Sequence, residues 1–199
     1  MKLNDYLLVF VAVGLIGVLL IASPAIASLI RLPSGEEYSE LYLLGPQNMA
    51  DNYPFDIVVN QNYSVYVNVE NHVGSAVYYV LYVKFSNLTD PLPNSLLGSL
   101  SPLSPLYQYG FSLQDGGGWE SLVTFSVSNA SISGYNSQVN TLCINGLNFN
   151  VDKASLWDRN STTFGYKLLF ELWAFNSNSD VISYDDRFVD LDLNLTGTI

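Results

Sequence analysis

The chain has 199 residues, enough for one domain with a hydrophobic core but too few for two domains of ordinary size. Seven Lys and Arg against 18 Asp and Glu give a net charge of -11 at pH 7. This balance argues against a nucleic-acid partner, because phosphate binding needs basic residues. Charged residues are only 13% of the chain, so Asn, Ser, Tyr and Gly must supply most of the polar surface.

The N-terminal apolar segment, Leu7 to Ile30, contains 24 residues without a charge. As a helix it would be about 36 Å long, enough to cross a hydrocarbon layer of roughly 30 Å. The alternative is a cleaved secretory signal, because Ala25 to Ala27 forms a small-x-small site downstream of Lys2. The apolar segment is longer than the usual signal of about 7–15 residues and continues past that site, which favours a retained anchor. We expect a single-pass membrane anchor at residues 1–31 and an exported, extracytoplasmic domain at residues 32–199.

Five asparagines fit the N-glycosylation acceptor pattern: Asn62, Asn87, Asn129, Asn160 and Asn194. Chance alone gives about three such matches in a chain this rich in Asn, Ser and Thr, so the excess is mild. All five follow the apolar segment, which suits a C-terminal domain on the extracellular side of the cell membrane. N-linked glycans are therefore expected, with Asn62, Asn87 and Asn160 best placed because they lie at a strand start or in turns.

Alternation of apolar and polar residues predicts β-strands along the rest of the chain. We predict strands at residues 64–71, 76–85, 121–128, 166–175 and 187–196, the last two forming a pair. In the final strand Val189, Leu191, Leu193 and Leu195 share one face, and Asp190, Asp192 and Asn194 share the other. Beyond the anchor we expect at most one short helix, around residues 152–159. The pattern predicts an all-β fold, an immunoglobulin-like antiparallel β-sandwich with one N-terminal transmembrane helix.

The segment of residues 90–110 interrupts this pattern with four Pro and a series of Leu residues. It is too apolar to be a solvated linker. Two interpretations stay open: a long loop folded over an open sheet edge, or an exposed apolar patch that docks on a partner or on lipid headgroups.

Few residues offer the chemistry of a catalytic or metal site. Cys143, the only cysteine, lies between apolar neighbours and is interpreted as a buried small hydrophobic residue. His72, the only histidine, is interpreted as a hydrogen-bonding residue beside a turn, because one histidine cannot build a site alone. Five aspartates within residues 180–192 suggest calcium or paired carboxylates, but alternation puts Asp190 and Asp192 on a solvated face. We predict no catalytic residue, cofactor or metal, with a hydrolase using surface carboxylates as the enzymatic alternative.

One stretch near the anchor has a distinctive pattern, "EEYSELYLLGPQNMADNYP", followed by the strand and turn "YSVYVNVENHVG". It resembles a mostly archaeal membrane-protein family catalogued as domain-of-unknown-function family 1616. The matching positions are Tyr38, Ser39, Glu40, Tyr42, Leu43, Leu44, Gly45, Pro46, Ala50, Tyr53, Pro54, Tyr63, Asn71, His72 and Gly74. The distal "LLFELWAF" and the Leu-rich segment after it resemble the closing strand pair of that family.

The resemblance has two departures and implies no activity. Many family members have several N-terminal membrane helices, and the acidic residue usual after Asn-His is Val73 here. Since the family has no established activity, no site residue is transferred. Within the matching block, "YLLGP" predicts an edge strand ended by Gly-Pro, and Pro54 forces the residue before it to be extended.

These features favour a non-enzymatic, membrane-anchored cell-surface protein with a structural or interaction role. Its expected partners are the lipid bilayer, through the apolar segment, and proteins of a surface assembly or membrane complex. The alternative is a carbohydrate-binding β-sandwich module, since 14 Tyr and three Trp could form aromatic platforms. A row of exposed aromatic residues on one sheet would favour that alternative.

Overall fold

The computed structural model describes residues 6–7, 9–18, 37–158, 163–176 and 179–196. The chain divides into two compact units, Met1–Glu36 and Glu37–Ile199. In the first unit residues 9–18 are helical, and no helix within the described residues is long and apolar enough to cross a membrane. Residues 19–31 of the expected anchor lie outside the described residues, so the transmembrane segment stays a prediction.

The second unit consists of β-strands, which confirms the all-β prediction. The described residues form β1 (Tyr38–Leu44), β2 (Asp56–Ile57), β3 (Tyr63–His72), β4 (Val77–Asn87), β5 (Tyr107–Leu113), β6 (Gly118–Ser133), β7 (Asn136–Ile144), β8 (Leu147–Asp158), β9 (Thr163–Asn176) and β10 (Val181–Leu195). The five strands predicted from alternation correspond to β3, β4, β6, β9 and β10.

The strands belong to one open, curled sheet with the order β1-β3-β6-β7-β8-β9-β10-β2, and β4 joins β9 to β5. The pairings are antiparallel except for a two-residue parallel pairing of β2 with β10. β8 and β9 pair through only two residue pairs, Trp157 with Phe164 and Asp158 with Thr163. This narrow junction lets the two parts of the sheet fold toward one core. The strand order alone does not establish the immunoglobulin-like arrangement that the sequence predicted.

The core is built from the inward face of each strand. Val65, Val67 and Val69 of β3 are fully buried, as the strict alternation in this strand requires. On β10, Leu191, Leu193 and Leu195 are buried, and Val189 packs against the core from its margin. The predicted inward face of the last strand is therefore confirmed.

The predicted helix at residues 152–159 is wrong, because residues through Asp158 belong to β8. The segment contains helix-forming residues, but its exposure alternates along the strand, and it pairs with β7. Asp152 adopts a positive φ of 45° where the β7–β8 register shifts between Val139 and Thr141. Pairing with β7 overrides the local helix propensity here, as tertiary context commonly does.

The predicted edge strand is confirmed as β1, which pairs with β3 alone among the described strands. The chain then turns sharply at Gly45, whose N–H donates to the carbonyl of Met49 at 2.7 Å. A Cβ atom at this position would lie 1.9 Å from the carbonyl oxygen of Asp51, so the turn requires glycine. The Tyr53 hydroxyl donates to the Leu43 carbonyl at 2.9 Å and fastens the returning segment to β1.

Candidate functional site

The outer face of the β1–β3 edge brings together two glutamates and the single histidine. The antiparallel register places Glu40 opposite Glu70, and Tyr38 opposite His72. Glu70 and His72 are two residues apart on β3, so their side chains share one face. One ligand atom from each of Glu40, Glu70 and His72 lies within 4.8 Å of the others. We call these three residues the edge cluster.

Aromatic neighbours orient the edge cluster. His72 Nε2 lies 3.3 Å from Glu70 Oε2, and the Tyr42 hydroxyl donates to Glu70 Oε1 at 2.8 Å. The Tyr38 ring stacks on the His72 imidazole with centroids 4.9 Å apart. Both oxygens of the Glu70 carboxylate thus have defined neighbours, and the imidazole lies against an aromatic surface.

The edge cluster lies in a negative electrostatic field. The hydrogen bond to Glu70 raises the pKa of Tyr42, with smaller contributions from burial and from the negative charges of Glu70, Glu40 and Glu120. Within the described residues, no Lys or Arg forms an ion pair with any of these three glutamates. The described lysines are instead paired with carboxylates elsewhere: Lys84 with Glu171, Lys153 with Asp90, and Lys167 with Asp190 and Asp192.

The sequence predicted His72 as a hydrogen-bonding residue beside a turn, and the structure places it at the last position of β3, directly before that turn. Its carboxylate neighbour on β1 was not predicted, because the pairing of β1 with β3 is not visible in the local sequence. The spacing Glu70-x-His72 on a strand was the available local signal, since residues two apart lie on the same face. The contribution of Glu40 depends on the β1–β3 register.

A second polar group is buried under the Leu/Pro-rich segment. Lys84 Nζ lies 2.7 Å from Glu171 Oε2, and the two side chains are 3% and 0% exposed. Lys84 also donates to the Ser101 carbonyl at 3.0 Å, and the Ser101 N–H donates to Glu171 Oε1 at 3.1 Å. These four groups satisfy one another, as a buried charge pair requires.

Ser101 of the Leu/Pro-rich segment thus lies over the buried charge pair of β4 and β9. The last residues of the segment, 107–110, pair with β4 as the start of β5. The tip of the segment remains apolar and exposed: Leu96 is 94% and Leu97 78% exposed. Asn94 Oδ1 accepts hydrogen bonds from the N–H groups of both leucines, and the Asn94 N–H donates to the Ser99 carbonyl at 2.8 Å. The segment thus combines an anchored base with an ordered, protruding tip.

The aspartates near the C-terminus form surface ion pairs. Lys167 Nζ lies 2.5 Å from both Asp190 Oδ2 and Asp192 Oδ1. Burial by itself would lower the pKa of Lys167, but its hydrogen bonds to the two carboxylates outweigh burial and raise it. Asp192 is largely exposed, as expected for the outer face of β10. A lysine thus lies between the two carboxylates that the hydrolase alternative would use.

The predicted glycosylation sites differ in their surroundings. Asn62 and Asn129 are exposed. Asn87 Nδ2 donates to the Ala154 carbonyl, and its Oδ1 accepts three hydrogen bonds within the following turn. Asn194 Nδ2 donates to Asp56 Oδ1 at 3.1 Å. Asn160 lies outside the described residues, and glycan occupancy at all five sites stays a prediction.

Cys143 and the aromatic residues of β5 and β6 pack within the fold in the described part of the chain. Cys143 on β7 is partly buried, less enclosed than predicted. Trp119 stacks on Phe111 with centroids 4.2 Å apart, and Tyr109 contacts Trp119 edge-on. These aromatic residues and Tyr107 pack against the core instead of forming an exposed row.

Fold and site together define an all-β domain with an acidic, histidine-containing sheet edge. The sequence matches the family described as "Domain of unknown function (DUF1616)" over residues 32–142, more than half of the chain. The protein therefore belongs to this family, which confirms the resemblance. The match includes the whole edge cluster and ends in β7, so the resemblance of the closing strands lies outside it. No curated protein sequence matches the chain.

Several solved structures share a distant likeness with the chain. A CARDB domain from Pyrococcus furiosus, solved with di-metal ions, is 12% identical with a TM-score of 0.39, covering 84% of this chain and 96% of that one. A β-glucosidase from Listeria innocua, solved with glucose, is 9% identical with a TM-score of 0.38, covering 82% of this chain. The chain spans only 17% of that enzyme. The C-terminal domain of wzt is 12% identical with a TM-score of 0.34, covering 83% and 81%. TM-scores this low carry no argument about function.

Proposed function

We propose that this protein is a non-enzymatic, membrane-anchored cell-surface protein that serves as a component of a surface assembly or membrane complex. In this proposal the apolar segment, Leu7 to Ile30, is retained as a single transmembrane helix. The C-terminal domain is extracellular, folds as an immunoglobulin-like β-sandwich and bears N-linked glycans. The uncharged length of the segment and its position directly before the β-domain support this arrangement.

The exposed tip of the Leu/Pro-rich segment is the observation that supports an interaction role. Leu96 and Leu97 are adjacent and both highly exposed, and contiguous exposed apolar surface is typical of interaction sites, whereas a single exposed leucine is ordinary. The Asn94 hydrogen bonds fix their backbone, so binding a partner would require little ordering. Ser101 fastens the base of the segment to a buried ion pair, which gives the tip a rigid support.

The interaction role is tested by purifying the full chain from native membranes and quantifying the proteins that co-purify with it. The variant Leu96→Ser/Leu97→Ser should lose specific partners at least about tenfold, because both apolar contacts are removed. Leu156→Ser is a matched control, since Leu156 is 71% exposed on β8, away from the tip. Unchanged partners in the double variant would contradict the assignment of the interaction to this tip.

Membrane anchoring and orientation have a separate test. Carbonate-washed membranes should retain the protein, and a protease added to intact cells should cleave the C-terminal domain. Mass spectrometry should find the apolar segment intact. A mature N-terminus at Ser28 would show a cleaved signal, and protection of the domain in intact cells would contradict the extracellular orientation.

A carbohydrate-binding module is the alternative. The aromatic residues of β5 and β6 pack against the core, so they do not supply the exposed platform that this alternative requires. Binding of the purified protein to surface polysaccharides, lost on substitution of an exposed aromatic residue such as Tyr135, would support it.

A further inference from the structure

We propose that Glu40, Glu70 and His72 bind a divalent transition-metal ion of the zinc class. One imidazole nitrogen and two carboxylate oxygens form a mixed donor set that suits zinc and its neighbours in the first transition row. Calcium and magnesium prefer oxygen donors alone. The proposal concerns a binding site that the non-enzymatic role neither requires nor excludes.

The distances suit a small ion. Zinc ligands lie about 2.0–2.1 Å from the metal, so two donors of a tetrahedral site are about 3.3 Å apart. His72 Nε2 and Glu70 Oε2 are 3.3 Å apart. Glu40 projects from the facing position of β1, and its carboxylate lies within 4.8 Å of both. Glu40 is partly exposed, so a three-residue site requires only that its side chain move closer to the other two ligands.

The negative charges at the edge cluster favour a bound cation. Glu40 and Glu70 lie opposite each other without a Lys or Arg ion-pair partner among the described residues, and Glu120 adds a third negative charge nearby. Like charges directly opposite on neighbouring strands are destabilising, so an ion bound between them would relieve the repulsion. Among the described residues, His72 is the basic side chain that contacts Glu70.

The residues around the ligands support the same site. The Tyr42 hydrogen bond occupies Glu70 Oε1 and leaves Oε2 toward His72. Metal ligands are commonly held by such outer contacts. Asn68 lies on the same face of β3 two residues before Glu70, is 6% exposed, and has an amide nitrogen without a hydrogen-bond partner among the described residues. Asn68 lies opposite Tyr42, whose hydroxyl binds Glu70, so this buried donor adjoins the edge cluster and is suited to hold a water molecule there.

The test uses the full chain in detergent after treatment with a chelator. Zinc affinity is measured by competition with a fluorescent chelator, and cobalt binding by its visible absorption. The expected result is about one equivalent bound, with absorption typical of a nitrogen and oxygen donor set. Because the chain has a single histidine, one set of imidazole NMR signals reports directly on His72 and should shift with saturation.

Variants distinguish this site from general attraction to an acidic surface. His72→Gln and Glu70→Gln should each weaken zinc binding at least about tenfold. Glu120→Gln and Asp192→Asn each remove one negative charge outside the edge cluster, and each should change the affinity less than about threefold. Equal affinity in His72→Gln and the wild-type chain, or unshifted imidazole signals in the zinc-loaded wild-type chain, would overturn the proposal. The wild-type NMR measurement decides the matter even if a variant does not fold.

Discussion

Removing one partner of the buried Lys84–Glu171 pair should destabilise the β-domain strongly. In Glu171→Leu, the ammonium group of Lys84 would keep the Ser101 carbonyl as an acceptor but lose its counter-charge. The Ser101 N–H would lose its acceptor at the same time. Breaking a buried ion pair in this way costs about 3–5 kcal/mol. Against a typical total of about 5–15 kcal/mol, this is a large share of the stability.

The loss in the free energy of unfolding can be measured by urea denaturation of the full chain in detergent, with tryptophan fluorescence as the readout. For a chain of this size, the expected loss corresponds to a Tm decrease of roughly 6–20 °C. A more exposed pair supplies the control: Asp192 contacts Lys167, and its side chain is 64% exposed. Asp192→Asn should therefore cost only about 0–1 kcal/mol.

The double variant Lys84→Met/Glu171→Leu separates the loss of a partner from the value of the pair. With both charges removed, no charge remains buried without a partner, so the double variant should be more stable than Glu171→Leu. It should stay less stable than the wild-type chain, because the buried Ser101 N–H and carbonyl both lose their partners. Limited proteolysis should show faster cleavage near Ser101 in the single variant, because the hydrogen bond to Glu171 Oε1 is absent. A loss of less than about 1 kcal/mol in Glu171→Leu would refute this reasoning. A double variant as unstable as Glu171→Leu would refute it as well.

Three further predictions concern other parts of the domain. Leu193→Asp should unfold the domain or reduce its stability by more than about 3 kcal/mol, because Leu193 is fully buried. Asp192→Asn on the outer face should cost less than about 1 kcal/mol, and thermal unfolding of both variants tests the difference. In a host that glycosylates, mass spectrometry should find higher occupancy at Asn62 and Asn129 than at the two sequon asparagines whose amides are hydrogen-bonded within the fold. Burial raises the pKa of Asp185 despite opposing effects of Ser39 and Arg187, so the folded state retains a proton that the unfolded state releases. Stability should therefore fall as pH rises from about pH 4 through the raised pKa, and Asp185→Asn should reduce this slope in denaturation curves measured between pH 4 and 7.

The strands that the sequence predicted are those with a strong burial pattern. β3 and β10 alternate strictly because one face of each strand is core and the other is not. β4 is apolar on both faces because the Leu/Pro-rich segment that follows it folds back over its outer face and buries Lys84 there, against Glu171 of β9. Local periodicity identified the strand but could not identify what covers it.

The strands β7 and β8 were missed because their sequences give weak signals. Half of the residues of β8 are apolar, but they lie at exposed or partly buried positions, and "DKASLWD" contains good helix formers. Its strand conformation depends on hydrogen bonds from β7 and on a local shift of register. Such pairing information is not contained in any short window of sequence.

The edge cluster was missed for a related reason. Glu40 and Glu70 are 30 positions apart, and only the β1–β3 register places one opposite the other. One histidine cannot build a site alone, but carboxylates on the same strand face supply the further ligands here. Sequence reasoning did identify the segment itself, because Glu40 and His72 both fall within the pattern that resembles the family.

The buried Lys84–Glu171 pair and the edge cluster differ in how fully neighbouring protein groups balance their charges. This difference indicates their roles. Lys84 and Glu171 have opposite charges, exclude water and share the Ser101 backbone, so they have no capacity left for a ligand. The edge cluster is partly exposed and carries two carboxylates for one histidine, so its charge is not balanced from within. A charged group whose charge is balanced by its protein neighbours stabilises the fold, as the Lys84–Glu171 pair does by holding the Leu/Pro-rich segment over β4 and β9. A preorganised group that is left unbalanced at a sheet edge retains the capacity to bind a cation.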